Sequence, residues 1–222
     1  MFKDDAIEAA AISAPVYQTM LAQTPSRGRS GSDLRTAIND FRVNAQALFM
    51  ADAAGEPQTE IFTLAVAAGI TLPGMEVVRQ QAMAQTPKLV GGLIEKDCLL
   101  RWALAAQGQI IANMTFTSRD DVDALKGGVN DRFADSEEAA ADDMDSATYR
   151  KLVALHAAIS FHLIETARPL PNMATFWFAT PGPTLYFANR LYADASRADE
   201  LRDENKVIHP AFMVRTGRAL SS

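Results

Sequence analysis

The sequence predicts a mainly α protein, a multi-helix body followed by a small C-terminal strand–helix–helix–strand module. Two observations carry this expectation. Between residues 33 and 168, apolar side chains recur at spacings of three and four, with no strand-like alternation. After Pro169 the pattern changes. A short aromatic run, ATFWFA at Ala174–Ala179, precedes a Thr180-Pro181-Gly182-Pro183 turn and two short helical stretches.

Composition sets the outer bounds. The chain has 222 residues, 48% of them hydrophobic, which is enough apolar material for a core. Formal net charge is −6, and the densest basic patch is the three arginines Arg27, Arg29 and Arg35 in a Gly/Ser-rich setting. A duplex nucleic-acid binder needs a basic stripe to neutralise phosphates, so the balance disfavours that partner. A single cysteine, Cys98, cannot form a disulfide within the chain and suits a reducing compartment. The acidic start MFKDDAIEAA lacks the basic and apolar regions of a secretory signal. Ile61–Met75 is apolar but short and broken by Pro73, so no membrane span is expected. The chain reads as soluble and made in the cytoplasm.

From the N-terminus, Asp4–Ala22 reads as two short helical pieces divided by Pro15, and TPSRGRSGS at Thr24–Ser32 as a flexible linker. Residues 1–32 are therefore expected to form an arm. Asp33 is expected to cap a helix carrying Leu34, Ile38, Phe41 and Phe49, ended by Gly55-Glu56-Pro57. Thr59–Gly69 reads as helix, and Pro73-Gly74 opens another through Gln85. A core helix over Leu89–Met114 is expected, with a break near Gly108. Ser118 and Asp121 fit a capping box ahead of Val122, Leu125, Val129 and Phe133, with Gly127-Gly128 weakening the middle. An acidic run, Ser136–Asp145, separates this from the strongest helix, which starts at Asp145 or Ser146 and stops at Arg168-Pro169. The body thus spans 33–170 and the module 174–222. In the module, Thr184 caps one helix and Ser196 a second through Glu204. Asn205 suits a left-handed exit, and Met213–Leu220 holds a turn at Thr216-Gly217 and a second strand.

The module resembles a LysM domain. The matching features are PGPTL at Pro181–Leu185, the face Tyr186, Ala188, Leu191 and Tyr192, then Asp194, Leu201, Asn205, Ile208, Pro210, and Gly217 before Leu220. Pro183 stands where LysM turns carry a capping aspartate. A longer resemblance, over residues 90–222, is to the "DNA circularization" proteins of Mu-type prophage tails. It rests on Tyr192, Asp194, Arg197-Ala198-Asp199-Glu200, Asn205, His209-Pro210, Gly217 and Leu220, on Ser118–Leu125, and on the helix from Tyr149. It implies a component of a contractile-tail baseplate, located in the virion, whose LysM-like module joins proteins together. That family's usual N-terminal domain is not recognisable here.

Candidate catalytic groups do not assemble in the sequence. His156 and His162 lie six residues apart, about 120° away from a shared helix face, so they do not form an i, i+4 metal pair. EEAAADDMD lacks the alternating ligands and central glycine of a calcium loop. The charges from Arg197 to Lys206 fit solvent-facing pairs such as Asp199 with Arg202. Gly91-Gly92 and Gly127-Gly128 are isolated pairs, not phosphate loops, and Cys98 sits among Ile94, Leu99 and Leu100 as a core thiol.

The expectation is therefore a non-enzymatic structural protein without cofactor or metal. Its candidate interface is Trp177, Pro181, Thr184, Tyr192, Arg197, Asn205, His209 and Phe212. Expected partners are other tail or baseplate proteins and further copies of the chain. Two alternatives stand beside this. One is a peptidoglycan-binding module using Pro181–Thr184 and Asn205–Ala211, with Phe212 nearby for sugar stacking. The other is DNA binding or circularisation, which the acidic charge opposes.

Overall fold

A computed structural model describes residues 1–221. It is 71% helical, with nine α-helices and one two-stranded antiparallel sheet near the C-terminus, the expected fold class. The chain divides into two units. One comprises Met1–Met114 with Asn130–Ile159, the other Thr115–Val129 with the chain from Ser160 onward. This differs from the expected boundary near residue 170. Two long helices each contribute one part to either unit, so no linker marks the division. Among the described residues, no helix is long and apolar enough to cross a membrane.

The first unit is built around α1, Lys3–Gln23, which packs against α2 (Arg29–Met50), α4 (Leu72–Met83) and α5 (Val90–Ala112). The expected arm at 1–32 is thus a core element. Ala6, Ala9, Val16, Tyr17 and Met20 are fully enclosed. Pro15 does not split α1. It forfeits one hydrogen bond, to the Ala11 carbonyl, but Ala11 lies on the exposed side where water can take that bond. Burial of the opposite face, at about 1.5–3 kcal/mol per large side chain, outweighs the loss. Tyr17 meets Phe41 edge-on, with ring centroids 5.4 Å apart, and Phe41 meets Phe49 in the same way.

The putting-together of α1 and α5 depends on two glycines. A Cβ on Gly91 would stand 2.8 Å from the Asp5 carbonyl oxygen, and one on Gly92 would meet the Glu8 carboxylate. The closeness lets α1 cap α5. The Glu8 carboxylate accepts from the Lys88 and Leu89 amides at 2.8 and 2.6 Å, and Asp5 accepts from Gly91 at 3.0 Å. These are amide donors at a helix start, which have no partner within their own helix.

Several expected boundaries move. The linker is shorter than Thr24–Ser32, because α2 begins at Arg29 and Asp33 lies inside it. Gly55-Glu56-Pro57 opens α3 (Gly55–Ala67) rather than ending α2, with Pro57 in a first turn that has no use for its missing amide hydrogen. Thr71 caps α4 by accepting from Gly74 at 3.2 Å. Helix α5 continues through Gly108, where the missing side chain makes room for Ile159. The acidic run is mostly helical, since α6 spans Arg119–Asp142. Its start has the expected capping pair, the Ser118 hydroxyl accepting from the Asp121 amide at 3.2 Å and donating to its carboxylate at 2.7 Å. Helix α7 is Ser146–Ala167, with Asp145 accepting from the Thr148 amide at 3.1 Å.

In the second unit, β1 (Met173–Trp177) pairs with β2 (Thr216–Leu220), placing Thr175 opposite Arg218 and Phe176 opposite Gly217. Between them lie α8 (Thr184–Tyr192), a 3-10 turn at Ala195–Arg197, and α9 (Ala198–Glu204). The order is the expected βααβ. Phe176, Phe187, Ala188, Leu201, Met213 and Ala219 form its small core.

Candidate interaction surface of the C-terminal module

Alternation along β1 sorts its aromatics. Phe176 points inward and is buried, whereas Trp177 points to the other face and is 72% exposed. Beyond the strand, Phe178 stacks on Phe187 with centroids 4.2 Å apart and planes 5° from parallel. On α8, burial falls on Thr184, Phe187 and Ala188, with Leu191 and Tyr192 half-buried, a helical stripe. The same spacing leaves Leu185 and Tyr186 outside, both exposed. Of the face Tyr186, Ala188, Leu191 and Tyr192 that matches a LysM helix, Tyr186 is thus the exposed member.

The two loops at one end of the module are joined. The Thr184 amide and hydroxyl both donate to the Pro210 carbonyl, at 2.7 and 3.1 Å, and Met213 donates to the Gly182 carbonyl at 2.9 Å. Thr184 therefore locks Pro181–Thr184 to the His209–Met213 loop. It is not the helix cap; that position is Pro183. At 2% exposure it also cannot serve as the contact residue expected of it. On the outside of this junction, Pro181, Ile208, His209, Pro210 and Phe212 are exposed, with Ile208 and Phe212 at 99% and 73%. His209 Nδ1 accepts from the Ala211 amide at 3.2 Å, holding the imidazole 5.3 Å from the Phe212 ring.

Asn205 is a clamp. Its side-chain amide donates to the Leu201 and Arg218 carbonyls at 2.8 and 2.7 Å, and its oxygen accepts from the Arg218 amide at 2.8 Å. Gly217 makes space for it, because a Cβ there would strike the Asn205 side chain and stand 2.7 Å from Phe176. Gly217 thus sits in β2, where a turn had been expected. The left-handed exit falls on Lys206, φ 53°, instead of Asn205. Ser196 does not cap α9, whose N-cap is Arg197; it lies in the 3-10 turn, which Asp194 caps by accepting from the Ser196 amide at 2.8 Å.

The charged helix turns out to be internally paired. Arg197 lies over the Tyr192 ring at 3.8 Å and forms a two-pronged pair with Glu200 at 2.6 and 3.1 Å. Glu200 raises the Arg197 pKa and so keeps it charged. Arg202 bonds Asp199 at 2.8 Å, the expected i, i+3 pair, and Asp203 at 2.9 Å. Arg218 reaches Glu204 at 3.6 Å. Beside them a cleft of about 540 Å³ is lined by Thr117, Pro171, Tyr192, Glu200 and Glu204 among others. Tyr192 spends its hydroxyl accepting from the Leu220 amide at 3.2 Å, and burial raises its pKa.

No known protein family and no curated protein matches the chain.

Of the two histidines, His156 finds structural partners, whereas the buried Nε2 of His162 has none among the described residues. His156 bridges Glu137 and Asn130, each at 3.0 Å, and stacks on Phe133. Cys98 is partly buried, and burial pushes its pKa up to about 11, which keeps it a thiol. Among the described residues, no three His, Cys, Asp or Glu side chains are grouped so as to hold a metal ion. A feature with no sequence signal is Glu95, 3% exposed inside the first unit and bonded to Gln58 at 2.5 Å. Burial, only partly offset by that hydrogen bond, pushes its pKa up to about 8.

Proposed function

We propose that the chain is a structural adaptor of a phage or prophage-derived contractile tail or baseplate, binding neighbouring proteins through its C-terminal module. The observation that carries this reading is the contrast between the module's charged and apolar groups. Its carboxylates and arginines are largely paired with one another, while Trp177, Tyr186, Ile208 and Phe212 stand in solvent. Exposed aromatics are the groups that anchor protein interfaces, whereas paired surface ions contribute little. The resemblance of Tyr192, Asp194, Arg197–Glu200, Asn205 and His209-Pro210 to the prophage tail family supplies the assembly. On this reading the protein contributes shape and binding free energy, without turnover, and resides in the virion after synthesis in the host cytoplasm. Mass spectrometry of purified particles tests it. The chain is expected in stoichiometric amounts with tail proteins, and its absence from assembled particles overturns the assignment.

One observation favours a second reading, peptidoglycan binding. Phe212 is exposed at the junction of Pro181–Thr184 with the His209–Met213 loop, where a sugar ring could stack. Co-sedimentation with cell-wall sacculi, lost in Phe212→Ala, would select it over the adaptor.

A further inference from the structure

The two edges of the β1–β2 sheet are treated differently. Hydrogen bonds at Asn172–Ser221 and Phe178–Arg215 fix the register, so the main-chain groups of Asn172, Ala174, Phe176 and Phe178 face β2. Those of Met173, Thr175 and Trp177 face away. On the β2 side, the outward groups are closed along most of the strand: Asn205 takes both the amide and the carbonyl of Arg218, and the Tyr192 hydroxyl takes the Leu220 amide, so that the Leu220 carbonyl and the Thr216 groups alone stay outside this net. On the β1 side, only the Met173 amide is taken, donating to Asp120 at 2.9 Å. Among the described residues, the outward groups of Thr175 and Trp177 have no partner.

An open edge recruits another strand unless it is blunted by charge, proline or a bulge. MATFW has none of these. Ala174, Thr175 and Trp177 are exposed, so the edge is accessible as well as unpaired.

We propose that β1 is a pairing edge for β1 of a second copy of this chain, giving a continuous four-stranded antiparallel sheet about a two-fold axis. The strand is self-complementary. With Thr175 on the axis, the two Thr175 residues exchange amide and carbonyl, and each Trp177 amide meets the Met173 carbonyl of the other copy. The Met173 amide keeps its bond to Asp120. On the shared face, threonine lies opposite threonine and Trp177 opposite Met173, pairs that stabilise antiparallel strands. The absence of charge in β1 removes the like-charge repulsion that self-pairing would otherwise bring. Asp120 sets the register, because it closes the edge at Met173 and stops a strand from sliding further. Such an isologous contact closes on itself as a dimer. The inference stands on the sheet edge alone and does not depend on which larger assembly the protein joins.

Sedimentation equilibrium of the full chain tests it. The expected mass is twice the 24.1 kDa of the chain, with concentration-dependent dissociation. Thr175→Lys places two cations against each other at the axis and is expected to give monomer with an unchanged circular-dichroism melt. Should that variant unfold, Thr175→Cys in a Cys98→Ser background decides. The facing Cα atoms of such a pair lie about 5.5 Å apart, within disulfide reach, so mild oxidation should cross-link copies through residue 175 and not through Thr216→Cys. A monomer throughout the micromolar range overturns the proposal, as does a dimer that survives Thr175→Lys or fails to cross-link at 175. Failure here leaves the chain's presence in particles untouched, and the converse also holds.

Discussion

Gln58 donates its side-chain amide to the carboxyl of Glu95 across 2.5 Å, inside a core that also holds the unpartnered hydroxyl of Tyr17. This is an ionisable group placed where its charge is expensive. Burial first, then the Glu95 charge, raises the Tyr17 pKa well above its usual value. The first unit therefore favours a protonated Glu95.

A pH dependence follows. Glu95 has a folded pKa of about 8 against about 4.3 when unfolded, so the folded state binds the extra proton between those values. Its contribution is complete below about pH 4.3 and is lost as pH rises through 8. Glu95→Gln should flatten that slope and stabilise the protein at pH 8 by roughly 2–5 kcal/mol, measured by urea denaturation across pH.

Glu76 is expected to act in the opposite sense. Burial would raise its pKa, but hydrogen bonds from Arg79 and Gln107, with the charges of Arg79 and Arg132, overrule this and hold it below its usual value. Its stabilisation is present above about pH 4.3 and lost as pH falls through the lowered folded value. Glu76→Gln should remove part of the acid sensitivity of the first unit, read as a shallower fall in melting temperature below pH 4.

Glu8→Ala should cost about 1–2 kcal/mol of stability, because the Lys88 and Leu89 amides, just ahead of α5, lose their acceptor. Gly91→Ala should cost more, since its Cβ would collide with the Asp5 backbone. Equilibrium unfolding of both variants checks the ranking.

Two neighbours in β1 should behave oppositely. Phe176→Ala empties the module's core and should cost about 3–5 kcal/mol. Trp177→Ala should shift stability by less than about 0.5 kcal/mol, as exposed sites do, while weakening assembly. Thermal melts with mass measurement separate the effects.

Asn205→Ala strips partners from both main-chain groups of Arg218 and should loosen β2 by about 1–3 kcal/mol. Faster hydrogen exchange at the Arg218 amide, with α1 unchanged, is the expected local signature.

The helices with strong periodicity, α7 above all, and the βααβ order were legible because burial of one face imposes a repeat on the residues. Pro15 misled because a proline signal is local, whereas the burial of Tyr17 and Met20 that overrides it comes from distant helices. Asn205 was legible as a helix-end residue but not as a clamp, since Arg218 is its partner only after the strands pair. Glu95 gave no warning: in the sequence it is one charge in a short mixed run. The exposed pair Leu185 and Tyr186 could have been found by following the helical phase from Phe187.

The carboxylates of Asp5 and Glu8 meet amides that follow them by eighty positions or more. At ordinary translation speeds of about 5–20 residues per second, α1 is on the order of ten seconds old before the amides that donate to it exist. For that interval the part of α1 that faces α5 has no neighbour, although α2 and α4 are made earlier and can already cover the rest. The earliest-made helix is thus among the last to be secured, and its exposure during synthesis is a window in which chaperones can compete for it.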